Sequence, residues 1–347
     1  MTSSAPSIRN EVWVPDVLAG YQQRTLALGP DPDGEGELFA TLVRHGKPLP
    51  AAAHAVLVVH GYTDYFFNTE LGDFFAARGI AFYAIDLHKC GRSWREGQTP
   101  HFTTHLAGYD VELESAMAII AAETGHAKVL VLGHSAGGLI VSLWLDRLRR
   151  RGATASLGVT GLVLNSPFFD LRGPWILRSL VASSALLVMS ALRGKLVVRG
   201  RGGGGYGRGL HRDFDGEWEY SLQWKPIGGF PVTFAWIHAI RRGHARLHRG
   251  LDVGVPNLVL RSDRTIPETK NPSAMHHGDA VLDVGQIARW AGCLGNRTTV
   301  VPIPDAKHDV FLSLPTPRQR AYRELSTWLD TYFALVDPSR ADWRRAP

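Results

Sequence analysis

Short runs of consecutive apolar residues alternate with amphipathic segments through most of the chain. Ala55–His60, Ile80–Asp86, Lys128–Gly133, Leu162–Asn165, Asn257–Arg261 and Thr298–Ile303 read as strands, several of them apolar at nearly every position, as burial on both faces requires. Glu37–Arg44, ending at His45-Gly46, reads as an early antiparallel strand. Helices are predicted over Leu71–Arg78, closed by Gly79, and over Leu106–Thr124, closed by Gly125. Another starts at about Ala136, where Leu139, Ile140, Leu143, Trp144 and Leu148 keep a 3.6-residue period. A last helix is predicted with Thr316 as its cap and Pro317 at its first position. Its stripe of Tyr322, Leu325, Trp328, Leu329, Tyr332 and Phe333 is core packing. This alternation predicts an α/β fold with a mostly parallel sheet.

The alternation breaks between about Phe168 and Gly250. An apolar segment from Trp175 leads into Arg199-Gly-Arg-Gly-Gly-Gly-Gly-Tyr-Gly-Arg-Gly and then an aromatic-rich stretch. The expectation is an insertion, 168–250, between two core parts, 1–167 and 251–347, covering a site as a lid. The Gly/Arg run is short and single, so a flexible loop is expected there rather than an RNA-binding tract.

The candidate chemistry sits where strand Lys128–Gly133 meets its helix. Gly133-His134-Ser135-Ala136-Gly137 is a Gly-x-Ser-x-Gly turn between a strand and a helix, the form of a nucleophile elbow. The small residues let the two backbones pass closely, and the serine hydroxyl is exposed above the sheet. A serine nucleophile needs a base, a carboxylate to orient it and donors for the oxyanion. In the order Ser…Asp/Glu…His, the base comes last, and Pro304-Asp305-Ala306-Lys307-His308-Asp309 follows the final strand, so His308 is the expected base. The acid should follow Asn257–Arg261. Asp279 is preferred, one short turn before a helix capped by Asp283 with Gln286 completing a capping box; Asp263 is the alternative. The expected oxyanion donors are the amides of Ala136 and of Tyr62, in His60-Gly61-Tyr62-Thr63-Asp64. His60 is expected to prop this loop.

Bulk properties narrow the picture. The 347 residues carry a formal net charge of +6. The one dense basic run, Arg241–Arg249, has no nucleic-acid motif around it and reads as a solvated helix face, with an anionic lipid surface second. Cys90 and Cys293 are the two cysteines, without metal spacing, which points to a reducing compartment and no cysteine-held metal. The pairs His276-His277 and His244/His248 lack a carboxylate cluster to complete a metal site. The first ten residues are polar, and the Trp175–Leu192 stretch holds Arg178 and several serines, so neither a secretory leader nor a membrane span is expected. A soluble cytoplasmic protein is the expectation.

With these residues in place, the chain resembles the α/β-hydrolase superfamily, in the branch of monoacylglycerol lipases and serine-aminopeptidase-like hydrolases. The resemblance rests on His60-Gly61, Asp86-Leu-His-Lys-Cys-Gly91-Arg-Ser93, Gly133–Gly138, Asp279–Asp283 and Ala306-Lys-His308-Asp309, and covers about residues 35–165 and 255–335. It implies the α/β-hydrolase fold, a mostly parallel eight-stranded sheet with helices on both faces and a helical lid. It departs in two places. The loop after Asn257–Arg261 is long, and Lys89-Cys90 stands where Gly-His is common, in a loop expected to tune the pocket rim.

The leading expectation is a cofactor-free, metal-free carboxylic-ester hydrolase acting on a small-molecule ester with a medium or long acyl chain. Ile176, Leu177, Leu180, Leu186, Leu187 and Met189 are the expected acyl channel, with contact of the lid with a lipid surface left open. Acyl transfer or amide cleavage on the same three residues is the second enzymatic reading. A non-catalytic binding protein on a hydrolase scaffold is the reading from another class, and the intact Ser, His and Asp argue against it.

Overall fold

The middle strands of the sheet are apolar throughout because helices cover both of its faces. The computed structural model describes residues 12–336, apart from 51, 175, 177–178, 199–203, 270 and 272. Its strands are β1 (Val14–Pro15), β2 (Tyr21–Pro30), β3 (Glu37–His45), β4 (His54–Val59), β5 (Ala81–Asp86), β6 (Lys128–His134), β7 (Val159–Asn165), β8 (Asn257–Ser262) and β9 (Thr298–Ile303). They form one nine-stranded sheet in the order β1-β2-β3-β5-β4-β6-β7-β8-β9. The pairs from β1 through β2 and β3 to β5 are antiparallel, and those from β5 to β9 are parallel. The sheet thus has nine strands rather than eight. The sequence pattern does not announce Tyr21–Pro30 as a strand: Gln22, Gln23, Arg24 and Thr25 interrupt its apolar signal, since this hairpin strand is only half covered.

Alternate residues of β4 feed two cores. Ala55, Leu57 and Val59 pack with α2 (Asp110–Thr124) and α3 (Ala136–Arg150), while Val56 and Val58 pack with α1 (Thr69–Ala76) and α8 (Pro315–Val336). Helix α2 ends at Gly125 in the left-handed conformation, as expected. Helix α8 starts at Pro315, one residue before the expected cap, with the Arg318 amide donating to Leu314 O. Pro315 supplies the preset φ that the sequence pattern assigns to Pro317.

The β7–β8 connection carries α4 (Leu180–Arg193), α5 (Gly205–Arg208) and α6 (Phe234–Leu247); α7 (Val284–Ala291) lies between β8 and β9. The described part of the Gly/Arg run is folded rather than a loose loop. Gly205 and Gly207 press against the carbonyl groups of Thr269 and Ile227, closer than any Cβ would permit. The basic run is also less solvated than expected: on α6, Arg241 pairs with Asp170 and Arg246 with Asp146.

Lys89 does not tune a pocket rim. It is buried beneath the β2–β3 hairpin, with Nζ 2.7 Å from Asp31 and 2.8 Å from Glu35. Lys195, just after α4, reaches the same Glu35 at 2.7 Å. Burial opposes the Glu35 charge, but Lys195, Lys89 and Thr99 outweigh it and hold the carboxyl at about 2.

A second buried ion cluster fixes the loops after β4 and β5. Arg92 grips Asp16 at 2.6 Å and Asp86 at 2.9 Å and donates to Phe66 O at 2.9 Å, while Asp86 also accepts from the Phe66 amide. Removing one member leaves buried charges unpaired. Arg92→Met is therefore expected to lower unfolding free energy by about 3–5 kcal/mol in urea titrations. A loss below about 1 kcal/mol would mean that both carboxylates find other partners.

Candidate active site

Strand β6 must become helix α3 within one residue, and Ser135 takes up the reversal. Its φ of 52° and ψ of −119° lie outside the regions that side chains favour. Neighbours secure this geometry: the Ser135 amide donates to Asn165 O and the Phe168 amide to Ser135 O. A Cβ on Gly137 would sit 2.2 Å from His60 O, and one on Gly133 would sit 2.8 Å from Gly138 Cα, so the crossing admits only glycine.

The structure brings Ser135, His308 and Asp279 together. His308 Nε2 lies 2.9 Å from Ser135 Oγ, and Nδ1 lies 2.8 Å from Asp279 Oδ2. A carboxylate only accepts, so Nδ1 carries the proton and Nε2 is left to accept from the serine. Asp279 is buried, and its other oxygen accepts from the amides of Val281 and Leu282 at 2.8 and 2.7 Å. A β-bridge between Thr265 and Asp279 returns the long loop to the end of β8, so the acid reaches the histidine from well past the strand. Asp283 caps α7 through the Gly285 amide, but Gln286 completes no capping box, its side-chain oxygen having no partner.

Asp263 is not brought to His308. Its carboxylate bonds Arg264 and accepts from the Asp305 amide at 3.0 Å, which ties the end of β8 to the turn before His308.

Gly61 lies against the serine: a Cβ there would stand 2.9 Å from Ser135 Cβ. The Gly61–Tyr62 backbone therefore runs beside Ser135, and Ala136 opens α3, whose first N–H groups have no partner within the helix. His60 props this region, with Nδ1 2.7 Å from Gly61 O and Nε2 accepting from the Leu87 amide at 3.0 Å.

Ser135 and His308 open onto a cavity of about 580 Å³. Its wall includes Tyr62, Phe168, Tyr206, Phe230, Trp236 and Leu282, most of it from the β7–β8 connection. Four of the six expected acyl-channel residues lie away from it. Ile176 and Leu187 are exposed, and neither they nor Leu186 nor Met189 lines this cavity. Leu177 lies outside the described residues, and Leu180 begins α4. Apolar residues on a helix mark a face, and that face need not be the one turned toward the site.

Several residues around the site carry no motif of their own. Asn165 donates to Asp309 at 2.6 Å and accepts from the Val310 amide, clamping the loop of His308 to β7. Tyr206 accepts from the Asp309 amide at 3.2 Å, and burial pushes its phenol well above the usual range. Burial also lowers His134, whose ring stands 4.9 Å from that of His308. Arg172 donates to Ala280 O and Ile266 O on either side of the Asp279 bridge. Their partners lie far away in sequence, which is why no local pattern announces them. Among the described residues, no group of three or more His, Cys, Asp and Glu could hold a metal ion.

The family profile "Serine aminopeptidase, S33" matches residues 50–263, more than half of the chain. No curated protein matches. Among solved structures, a soluble variant of monoglyceride lipase from Saccharomyces cerevisiae, in complex with a substrate analog, has a TM-score of 0.59 at 13% identity, covering 95% of this chain and 96% of that one. A monoacylglycerol lipase from Paleococcus ferrophilus has a TM-score of 0.56 at 17% identity, covering 85% and 99%. Est1E from Butyrivibrio proteoclasticus, with ferulic acid bound, has a TM-score of 0.51 at 14% identity, covering 86% and 96%. These likenesses show the α/β-hydrolase fold.

Lys307, next to His308, is buried and donates to Gly209 O of the β7–β8 connection at 2.6 Å. Burial pushes its ammonium from 10.5 down to about 8. Between those values the unfolded chain binds the extra proton, so stability rises with pH. Compared with Lys307→Met, the wild type should gain unfolding free energy between pH 8 and about 10 in parallel denaturant titrations. A constant difference across that window would show that the ammonium is not destabilised by burial.

Proposed function

Because this chain belongs to the serine aminopeptidase S33 family of α/β hydrolases, we propose that it is a serine hydrolase cleaving carboxylic esters through an acyl-enzyme on Ser135. The observation that carries the reading is the unbroken line Ser135 Oγ, His308 Nε2, His308 Nδ1, Asp279 Oδ2, with both contacts under 3 Å. Ser135 attacks the acyl carbon as His308 takes its proton, and Asp279 stabilises the imidazolium. The amides of Tyr62 and Ala136 receive the oxyanion. Collapse expels the alcohol, protonated by His308, and water releases the acid by the same steps in reverse roles.

The cavity supports an apolar acyl group over a peptide amino terminus. Its wall is aromatic and aliphatic, Asp64 is already paired with Lys225, and the exposed Glu268 accepts from the Gly204 amide. No other buried carboxylate on the described wall stands ready for an ammonium group. In this reading, residues 168–250 form the lid.

Ser135→Ala should abolish fluorophosphonate labelling and lower kcat by about 10⁴-fold or more on p-nitrophenyl esters. Asp279→Asn should cost several orders of magnitude, and Asp263→Asn far less. For the wild type, kcat/KM should rise up to about fourfold per added methylene until the cavity fills, and exceed that on aminoacyl p-nitroanilides. Full activity in Ser135→Ala would overturn the mechanism, and preference for the anilides would overturn the substrate class.

The outer face of α4 supports a second proposal, contact with a lipid surface. Leu187, Val188 and Leu192 are 53%, 54% and 72% exposed, and Arg193 and Lys195 follow. No helix among the described residues is long and apolar enough to cross a membrane. The wild type should co-sediment with vesicles containing anionic lipid, and Leu187→Ser with Leu192→Ser should weaken this about tenfold. Equal sedimentation of the variant would remove α4 from the contact.

A further inference from the structure

The β7–β8 connection grips residues 62–64 of the loop after β4 through four polar contacts. Lys225 Nζ lies 2.6 Å from Asp64 Oδ1 and 3.4 Å from Thr63 O. The Phe230 amide donates to Thr63 Oγ1 at 2.9 Å, and Tyr62 Oη donates to Pro231 O at 2.5 Å. These four contacts fall between residues 62–64 and residues 225–231; further along, the Ser221 amide donates to Tyr65 Oη at 2.7 Å and Trp236 packs on the Tyr62 ring. The gripped residue is an unusual one: Thr63, β-branched, has a φ of 51°. Such a conformation persists only where surrounding contacts impose it. Here the Thr63 side chain and carbonyl are both held from the same seven-residue strap.

The ion pair within the grip is buried. Asp64 and Lys225 are 6% and 9% exposed. Burial opposes the Asp64 charge, yet Lys225, His134 and His60 hold its carboxyl below the usual range. A buried pair of this kind tolerates little freedom, because parting the charges without water is costly.

We propose that Lys225 is a positioning residue for the oxyanion loop: through Asp64 and the Thr63 carbonyl, the strap 225–231 fixes the left-handed turn that aims the Tyr62 amide at the oxygen developing beside Ser135. The proposal rests on the serine-hydrolase reading above. It makes the connection part of the catalytic geometry as well as a cover for the cavity. Lys225 also lines the cavity, but its ammonium is occupied by Asp64 and Thr63, so its effect belongs to the transition state rather than to substrate binding.

The test compares the wild type, Lys225→Met, and the double variant Lys225→Met with Asp64→Asn, which removes both charges. Each is measured for kcat and KM on a p-nitrophenyl ester, for affinity toward a trifluoromethyl ketone that forms an oxyanion on the serine, and for Tm. Misplacing a catalytic donor by about 1 Å costs on the order of 10²-fold. Lys225→Met is therefore expected to lose about 10²-fold in kcat and in ketone affinity, with KM changed by less than about threefold. The double variant should recover Tm, since no buried charge is left unpaired, but should not recover kcat or ketone affinity. Recovery of kcat together with Tm would mean that the pair only stabilises the fold and would overturn the proposal. So would a loss confined to KM. Fluorophosphonate labelling of the wild type, abolished in Ser135→Ala, checks the underlying reading separately. Intact labelling with an unaffected Lys225→Met would sink this inference alone.

Discussion

Everything at the site follows from the one-residue reversal at Ser135. A strand buried on both faces cannot turn within a single residue into a helix that packs back on its own sheet unless that residue lies outside the favoured backbone regions. The strain is not confined to that residue. Thr63 after β4, Lys89 after β5, Ser166 after β7 and Asp305 after β9 also have positive φ. Left-handed, non-glycine residues thus gather at the carboxyl ends of the parallel strands, the edge where ligands bind in open α/β sheets. Each turn is held by a contact from elsewhere: Ser166 donates to Leu260 O, Asp305 to Asp263 and Phe230 to Thr63. The sheet supplies the rigidity against which these conformations are kept.

The β7–β8 connection is joined to every loop of the candidate site. It reaches the loop after β4 through Lys225, Phe230 and Pro231, the loop of Asp279 through Arg172, and the loop of His308 through Tyr206, Gly209 and Trp218. The loop after β4, the loop of His308 and the connection share a small, largely aromatic core of Tyr65, Phe67, Leu210, Trp218, Tyr220 and Leu312. Hydrogen bonds in this low-dielectric setting fix position more firmly than similar bonds at the surface.

Legibility of the sequence tracked the range of the interactions. Unbroken apolar runs announced the central strands, because burial on both faces leaves no room for polar residues. Tyr21–Pro30 escaped, because half-burial allows Gln22, Gln23 and Arg24 on its open face. Ser135 and His308 could be named from a strand–turn–helix and from chain order. Asp279 stands out by its place one short turn before the helix capped by Asp283, although the box with Gln286 does not form. Asp263 was tempting because it lies near the strand, yet its carboxylate supports Asp305 instead. On α4, Leu186, Leu187 and Met189 stand away from the cavity, since apolar periodicity says that a face is hydrophobic and not what it faces. Lys225, Tyr206 and Arg172 carry no local signal, as their partners lie 161, 103 and 108 residues away.

The wide spacing of those contacts has a consequence for how the molecule is made. Ser135 and His308 are separated by 173 residues, and the grip on Thr63 closes over 167. Pairings of that reach form late, after the local helices and the neighbouring strands, because loop closure costs entropy before the contact repays it. A refolding chain would pass through a stage with its sheet complete and its serine in place, but with the loops around it not yet aligned. Recovery of a competent site would then report the docking of the β7–β8 connection rather than the assembly of the sheet.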